Sequence, residues 1–331
     1  MTSLRAAYDA LLVDLDGTVY AGAVAIPGAI EALCKGAQRV LYVTNNASRA
    51  PGEVAAHLRD LGLPAWDSDV ITSAQSAAGL VSEQIPVGSG VLIVGTEALA
   101  EEVRSRGLRP VREASADPAA VVQGHSPETG WVILAEAALA IRAGAVWVAA
   151  NVDPTLPSDR GLLPGNGSFV AALRAATGAE PQVAGKPASP LMRDAVDRAS
   201  SRRPLVVGDR LDTDIEGGRA AGIPTLLVMT GVSTAMDVLR APAGQRPDFI
   251  GDDLGALNAT VSESAVGPVE GWSVHSDGDE LVISCSLADP RPNDALRAAS
   301  AVAWAEPTFT RVVANGDAAA AVLRRWGIEP D

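Results

Sequence analysis

The sequence predicts an α/β protein: a doubly wound, Rossmann-like parallel core, a second α/β domain inserted into it, and a small α+β module at the C-terminal end. Three observations predict this. Short apolar runs at residues 10–13, 39–43 and 204–207 each end in small polar or acidic residues, as strands buried on both faces of a parallel sheet do. Helical stretches alternate with these runs, which implies right-handed crossovers. Between the second and third runs lies a segment too long for a loop, with a strand–helix rhythm of its own. At 331 residues the chain has room for two or three domains of about 150 residues each.

The elements follow in order. Ala-Leu-Leu-Val at 10–13 runs into Asp14-Leu15-Asp16-Gly17-Thr18. Ile30, Leu33 and Cys34 fall at helical spacing before the second run, Arg-Val-Leu-Tyr-Val at 39–43, which enters Thr44-Asn45-Asn46. Val54, His57, Leu58 and Leu61 mark a helix opened by Pro51 and closed by Gly62. Residues 90–95, 120–124 and 145–150 read as strands of the inserted segment, with a helix at 97–106 and an Asp-, Pro- and Gly-rich loop at 151–167. Linkers are expected near 73–78 and 183–187. Met192, Val196 and Ala199 mark a helix before the third run, Pro-Leu-Val-Val, which enters Gly208-Asp209-Arg210. After about Asp252 a hairpin is expected around Asp277-Gly278-Asp279, then Ala-rich helices at 295–304 and 317–326, with Trp272, Trp304, Phe309 and Trp326 as its core. Such a small module is marginal alone and should dock on the main body. The domains are therefore 1–78 with 185–252, 79–184, and 253–331.

Composition narrows the function. The chain is 47% hydrophobic and 20% charged, which excludes a disordered or fibrous protein. Its 26 Lys and Arg against 40 Asp and Glu give a net charge of -14, so nucleic acid and anionic membranes are poor partners. Two cysteines cannot build a disulfide framework. No apolar signal region opens the chain, and no stretch approaches the roughly 18 uncharged residues of a spanning helix. A cytoplasmic protein is expected.

In a doubly wound sheet the polar strand ends converge on one edge, where ligands bind. Asp14 follows an apolar run, where an ionised carboxylate needs a cation or donors. Asp16, two residues on, points the same way in extended chain. Asp209 reaches the same edge from another strand, so the carboxylates repel unless a cation lies between them. A site of Asp oxygens, without Cys or His at ligand spacing, favours Mg²⁺ over zinc. Thr44, Asn45 and Asn46 offer a hydroxyl, amides and N–H groups as a phosphate seat, and Lys186 beside Pro187 offers an ammonium. Taken singly, these motifs also read as an acidic turn, a helix cap and a solvated lysine.

Together, Asp14-x-Asp16-Gly17-Thr18, Thr44-Asn45-Asn46, Gly185-Lys186-Pro187 and Gly208-Asp209-Arg210-x-Asp212-Thr213-Asp214 resemble the four ordered motifs of the haloacid dehalogenase superfamily of phosphatases. The insertion, with Asn151-x-Asp153-x-x-x-Pro157, resembles the C2-type cap of the p-nitrophenylphosphatase-like (NagD-like) branch. The added tail resembles that of an actinobacterial subgroup acting on glycerol 3-phosphate, in which the tail is acetyltransferase-like. The resemblance implies Mg²⁺ held by the Asp14 carboxylate, the Asp16 carbonyl and the Asp209 carboxylate, with Asp214 orienting the ion's water. It implies Asp14 as nucleophile, Asp16 as general acid and base, and Thr44, Asn45, Asn46 and Lys186 as the phosphate-binding set. Specificity falls to the cap: Asp153, Thr155 and Leu156 over the leaving group, with Arg49 beside the second motif. The implied substrate is a small phosphorylated metabolite, glycerol 3-phosphate first, with 2-phosphoglycolate, sugar and nucleotide phosphates as alternatives. A homodimer through the cap is a further implication.

Two departures stand out. Where caps of this branch carry an Asp after the Gly matching Gly124, this chain has His125. The tail lacks the Gly-rich loop that seats the pyrophosphate of acetyl-CoA, so it reads as a scaffold or interaction module. A receiver-type phosphoacceptor domain, the alternative from another class, has neither the second Asp nor such an insertion.

Overall fold

The computed structural model describes residues 2–158 and 160–329. Met1, Asp159, Pro330 and Asp331, and with them the outer limits of the first and last expected domains, lie outside the described residues. The chain divides into two compact units, Met1–Val40 with Ser201–Asp331, and Leu41–Ser200. Both are parallel sheets with helices, and a small mixed sheet forms the C-terminal module.

In the first unit, four parallel strands lie in the order Phe249–Gly251, Thr225–Val228, Pro204–Gly208, Ala10–Val13. Every residue of Ala10–Val13 and Pro204–Gly208 is buried, which is why their sequences are continuous apolar runs and not alternating ones. Val13 registers against Val207, and Asp14 N–H still donates to Val207 O at 2.8 Å. The ladder thus carries Asp14 to the carboxyl end of the pair, beside Asp209.

The tail docks as expected, because it shares a core with this sheet. Trp272, Leu281, Ile283, Leu296, Phe309 and Val312 pack in one cluster with Ile215, Leu227, Val238 and Ile250. Polar contacts fix the seam: Trp304 Nε1 donates to Val238 O at 2.9 Å and Asn293 Nδ2 to Ile250 O at 3.1 Å. The hairpin Trp272–Asp277 with Glu280–Cys285 turns at Gly278 (φ 62°). Its helix runs Pro292–Ala305, longer than the expected 295–304, since Pro292 sits at the first position, where a missing N–H costs nothing. A third strand, Arg311–Asn315, was not expected; it adds in parallel to Glu280–Cys285. Five residues without clear alternation carry little strand signal.

In the second unit, Arg39–Thr44, the strand across which the division falls, pairs in parallel with Val70–Thr72. The expected linker at 73–78 is the first half of a helix, Ser73–Ser82, closed at its start by Thr72 and Gln75 as a capping box. A five-stranded parallel sheet follows in the order Gln182–Val183, Val146–Ala149, Ala120–Gln123, Gly90–Val94, Arg109–Val111. Its period of two is visible in the packing: Val91 and Ile93 join Val122 and Val148 on one face, and Leu92 and Val94 join Val121 and Trp147 on the other. The loop expected at 151–167 contains a hairpin, Thr155–Ser158 with Gly161–Pro164. Its Gly and Pro content hid the apolar residues of the two short strands, Leu156 in one and Leu162 and Leu163 in the other. Among the described residues no helix is long and apolar enough to cross a membrane.

In the first unit, Leu12 of the strand Ala10–Val13 is 1% exposed. Leu12→Ala should lower the free energy of unfolding in urea by about 2–5 kcal/mol; a loss below about 1 kcal/mol would show that the strand is not in the core.

Candidate active site

Three carboxylates meet at the ends of Ala10–Val13 and Pro204–Gly208: Asp14, Asp209 and Asp214 each bring one oxygen within 4.8 Å of the others. Asp209 and Asp214 are 0% and 1% exposed. Local folding explains the convergence. Asp14 and Asp209 are the first residues past neighbouring strands. Asp214 reaches them because Leu211–Ile215 forms a single π-turn, with the Asp214 and Ile215 N–H groups both donating to Arg210 O at 3.1 Å.

Donors and space are arranged around them. Asp209 Oδ2 accepts from Val232 N–H at 2.7 Å, and Asp214 Oδ2 from Arg210 N–H at 3.2 Å. The buried Thr18 hydroxyl lies 3.3 Å from Asp209 Oδ1 and 3.5 Å from Asp14 Oδ2. A Cβ on Gly17, Gly208 or Gly231 would fall 2.5 Å from Asp209, 2.2 Å from Asp214 and 1.9 Å from Asp209 respectively. Gly17 is also at φ +88°, so any side chain there would be strained and would fill the cradle. An all-oxygen, glycine-lined group of three carboxylates fits a hard divalent cation; among the described residues no histidine or cysteine joins it.

Asp212 takes no part. Its burial alone would raise its pKa, but Arg210 Nε and Nη2 bind it at 3.0 and 2.8 Å and hold it below the usual carboxylate range. Asp16 is exposed in the turn closed by Gly17 N–H donating to Tyr20 O.

The second cluster lies in the other unit. Thr44 ends its strand buried, its Oγ1 accepting from Asn46 N–H at 3.1 Å, and Asn46 Oδ1 accepts from Ser48 N–H at 2.8 Å. These turns order residues 44–48 well before the helix Pro51–Asp60 begins. Lys186 is 2% exposed and donates from Nζ to Val43 O at 3.1 Å. The Asn45 side chain, expected in the phosphate-binding set, is bonded to both the N–H and the C=O of Lys186 and to Asp153. Asp153 is thus drawn to Asn45. Thr155 and Leu156 are exposed on the hairpin, and Arg49 is exposed after the Thr44–Asn46 motif. His125 O accepts from Ser48 Oγ at 2.8 Å, and burial lowers the imidazole pKa.

Sequence reasoning missed Thr18 as a buried partner of two carboxylates, and the Thr230–Gly231–Val232 turn, which seats Asp209. The signal was present: a Thr-Gly-Val-Ser sequence directly after the apolar run 226–229.

Residues 11–109 match the haloacid dehalogenase-like hydrolase model and 183–257 the HAD-hydrolase-like model, while 270–328 match the GCN5-related N-acetyltransferase like domain. The chain is similar to D-glycerol 3-phosphate phosphatase of Mycobacterium tuberculosis, at 52% identity over 99% of this chain and 96% of that one. It also resembles acid sugar phosphatase of Staphylococcus aureus, at 38% identity over 70% and 90%. The crystal structure of the M. tuberculosis glycerol phosphate phosphatase in complex with magnesium superposes with a TM-score of 0.95, at 53% identity and 99% coverage of both chains. Matched in order by two hydrolase models and aligned almost end to end with such a relative, the chain belongs to the haloacid dehalogenase-like hydrolases.

Proposed function

We propose that this chain is a magnesium-dependent phosphomonoester hydrolase that converts a small phosphorylated metabolite, glycerol 3-phosphate first, to the alcohol and phosphate. The observation that carries the reading is the meeting of Asp14, Asp209 and Asp214 within 4.8 Å, in a chain so similar to a glycerol phosphate phosphatase solved with magnesium.

The ion would be held by the Asp14 and Asp209 carboxylates and the Asp16 carbonyl, and when bound it supplies positive charge that offsets the phosphate and the carboxylates. Asp14 is the nucleophile: one carboxylate oxygen bonds to phosphorus as the bond to the alkyl oxygen breaks. Asp16 gives its proton to the departing alkoxide. It then takes a proton from the water that attacks phosphorus, releasing phosphate and restoring the Asp14 carboxylate. Thr44, the main-chain N–H groups of Asn45 and Asn46, and the Lys186 ammonium act on the equatorial oxygens, the electrostatic contribution that dominates phosphoryl transfer. Val232 N–H and the Thr18 hydroxyl keep Asp209 in place, and Asp214 stands behind as the orienting carboxylate.

Specificity is assigned to the loop from Asp153 through Thr155 and Leu156, and to Arg49. In this reading 1–78 with 185–252 form the catalytic core, 79–184 the cap, and 253–331 a scaffold without acetyltransferase activity. A cytoplasmic location and a homodimer complete it; exposed Trp131, Val132 and Leu139 on the helix Trp131–Arg142 support the latter.

A panel of small phosphomonoesters should show phosphate release with magnesium and no added acceptor. Glycerol 3-phosphate should lead 2-phosphoglycolate, sugar and nucleotide phosphates. Asp14→Asn should lose roughly 10⁴-fold or more in turnover while remaining folded; near-normal turnover would remove Asp14 as nucleophile. Asp16→Asn should lose about 10²–10⁴-fold on alkyl phosphates, and less on nitrophenyl phosphate, whose leaving group needs no proton. An equal loss on both would count against the acid role. Magnesium at about 100 times its dissociation constant should stabilise the fold by about 2.7 kcal/mol. The resulting rise in Tm should vanish in Asp209→Asn, and its persistence there would place the ion elsewhere.

A further inference from the structure

The Asn45 side chain has one amide oxygen and two N–H donors, and the structure uses all of them. Oδ1 accepts from Lys186 N–H at 2.8 Å, and Nδ2 donates to Lys186 O at 3.0 Å. The amide therefore pairs with the lysine's own N–H and C=O as a neighbouring strand would. The remaining N–H reaches Asp153, 3.2 Å from Oδ2 and 3.4 Å from Oδ1, a bond strengthened by the carboxylate charge.

The amide is itself held still. Asn45 O accepts from Ser73 Oγ at 2.6 Å and from Asn151 Nδ2 at 2.7 Å. Gly185 leaves room for it, since a Cβ there would lie 2.6 Å from Asn45 Oδ1 and 2.4 Å from Ala150 O. Asp153 is also anchored: its N–H donates to Asn151 Oδ1 at 3.3 Å, and its carbonyl accepts from Gly167 N–H at 2.8 Å. Two residues beyond Asp153, the hairpin Thr155–Ser158 with Gly161–Pro164 begins. An unbroken set of bonds thus runs from the base of that hairpin, through one amide, to the backbone of the buried Lys186.

We propose that Asn45 is a positioning residue that couples the Asp153 loop to Lys186, so that the lysine's backbone is set only when that loop is in place. The consequence for catalysis rests on the phosphatase reading above; the coupling itself does not. A lysine aimed at a phosphate oxygen works only within a narrow geometry, and a misplacement of about 1 Å can cost about 10²-fold.

The test uses the full-length protein as wild type, Asn45→Asp, Asp153→Asn and the double variant. Asn45→Asp keeps the acceptor for Lys186 N–H, removes the donor to Lys186 O, and sets two carboxylates against each other. The exchange of partners in the double variant restores a donor–acceptor pair between positions 45 and 153 but not the donor to Lys186 O, so the recovery is partial. Phosphate release should fall about 10²-fold in Asn45→Asp, mainly in kcat. The double variant should recover at least about ten-fold of this, a non-additivity expected of contacting residues. A loss in the double variant equal to the product of the single losses would overturn the coupling.

Amide hydrogen exchange supplies a readout without activity. The peptide containing Lys186 should exchange faster in Asn45→Asp and slow again in the double variant, while the strand Pro204–Gly208 stays unchanged. Unaltered exchange at Lys186 in Asn45→Asp would overturn the proposal. If the wild type releases no phosphate from any substrate, the phosphatase reading fails and exchange alone decides the coupling. If Asn45→Asp cannot be purified folded, Asp153→Ala gives the same comparison at Lys186.

Discussion

Mutual repulsion among three aspartates organises much of the first unit. With an effective dielectric of about 20, two unit charges at 4.8 Å repel by roughly 3–4 kcal/mol, and Asp209 and Asp214 are removed from water as well. Such a group persists only where donors and a cation compensate. The local architecture follows from that need. Main-chain N–H groups of Val232 and Arg210 point at the carboxylates, the Thr18 hydroxyl stands between two of them, and three glycines clear the space. The π-turn at Leu211–Ile215 turns Asp214 inward. The neighbouring Asp212 is neutralised by Arg210 and kept out of the group.

In the second unit a different economy applies. Lys186 is buried, and burying an ammonium without acceptors is costly. Val43 O meets the charge, while the backbone that carries it is held by the Asn45 amide. Side chains that read as ligands in the sequence can serve as braces in the fold. Asn45 and Asp153 each carry groups suited to phosphate or alcohol recognition, and in the structure they are bonded to each other.

The C-terminal module shows how a domain too small for its own core is stabilised. Its hairpin, helices and third strand bury Trp272, Leu296 and Phe309 against the side chains of the last two core strands and their helices. Arg297 is buried and donates to Ser262 O, Glu263 O and Ala265 O, with Asp294 at 3.0 Å. The module behaves as an extension of the sheet's packing, and its residues 270–328 match the GCN5-related N-acetyltransferase like domain.

The sequence by itself determined the class of fold, the acidic strand ends and the residues of the four motifs. Short apolar runs bounded by turn signals read as buried strands, and carboxylates placed directly after them demand compensation; both are local facts. The tail's length also led to the expectation that it is marginal alone and docks on the main body. Tertiary structure decided the rest. Thr18 and Val232 become partners of Asp209 only once residues distant in sequence are brought together. The Arg311–Asn315 strand and the hairpin within 151–167 exist because edges and partners were available, not because their composition required it. The role of Asn45 was decided the same way: an amide bonds to whichever donor or acceptor it meets, and what it meets is fixed by chain segments more than one hundred residues away.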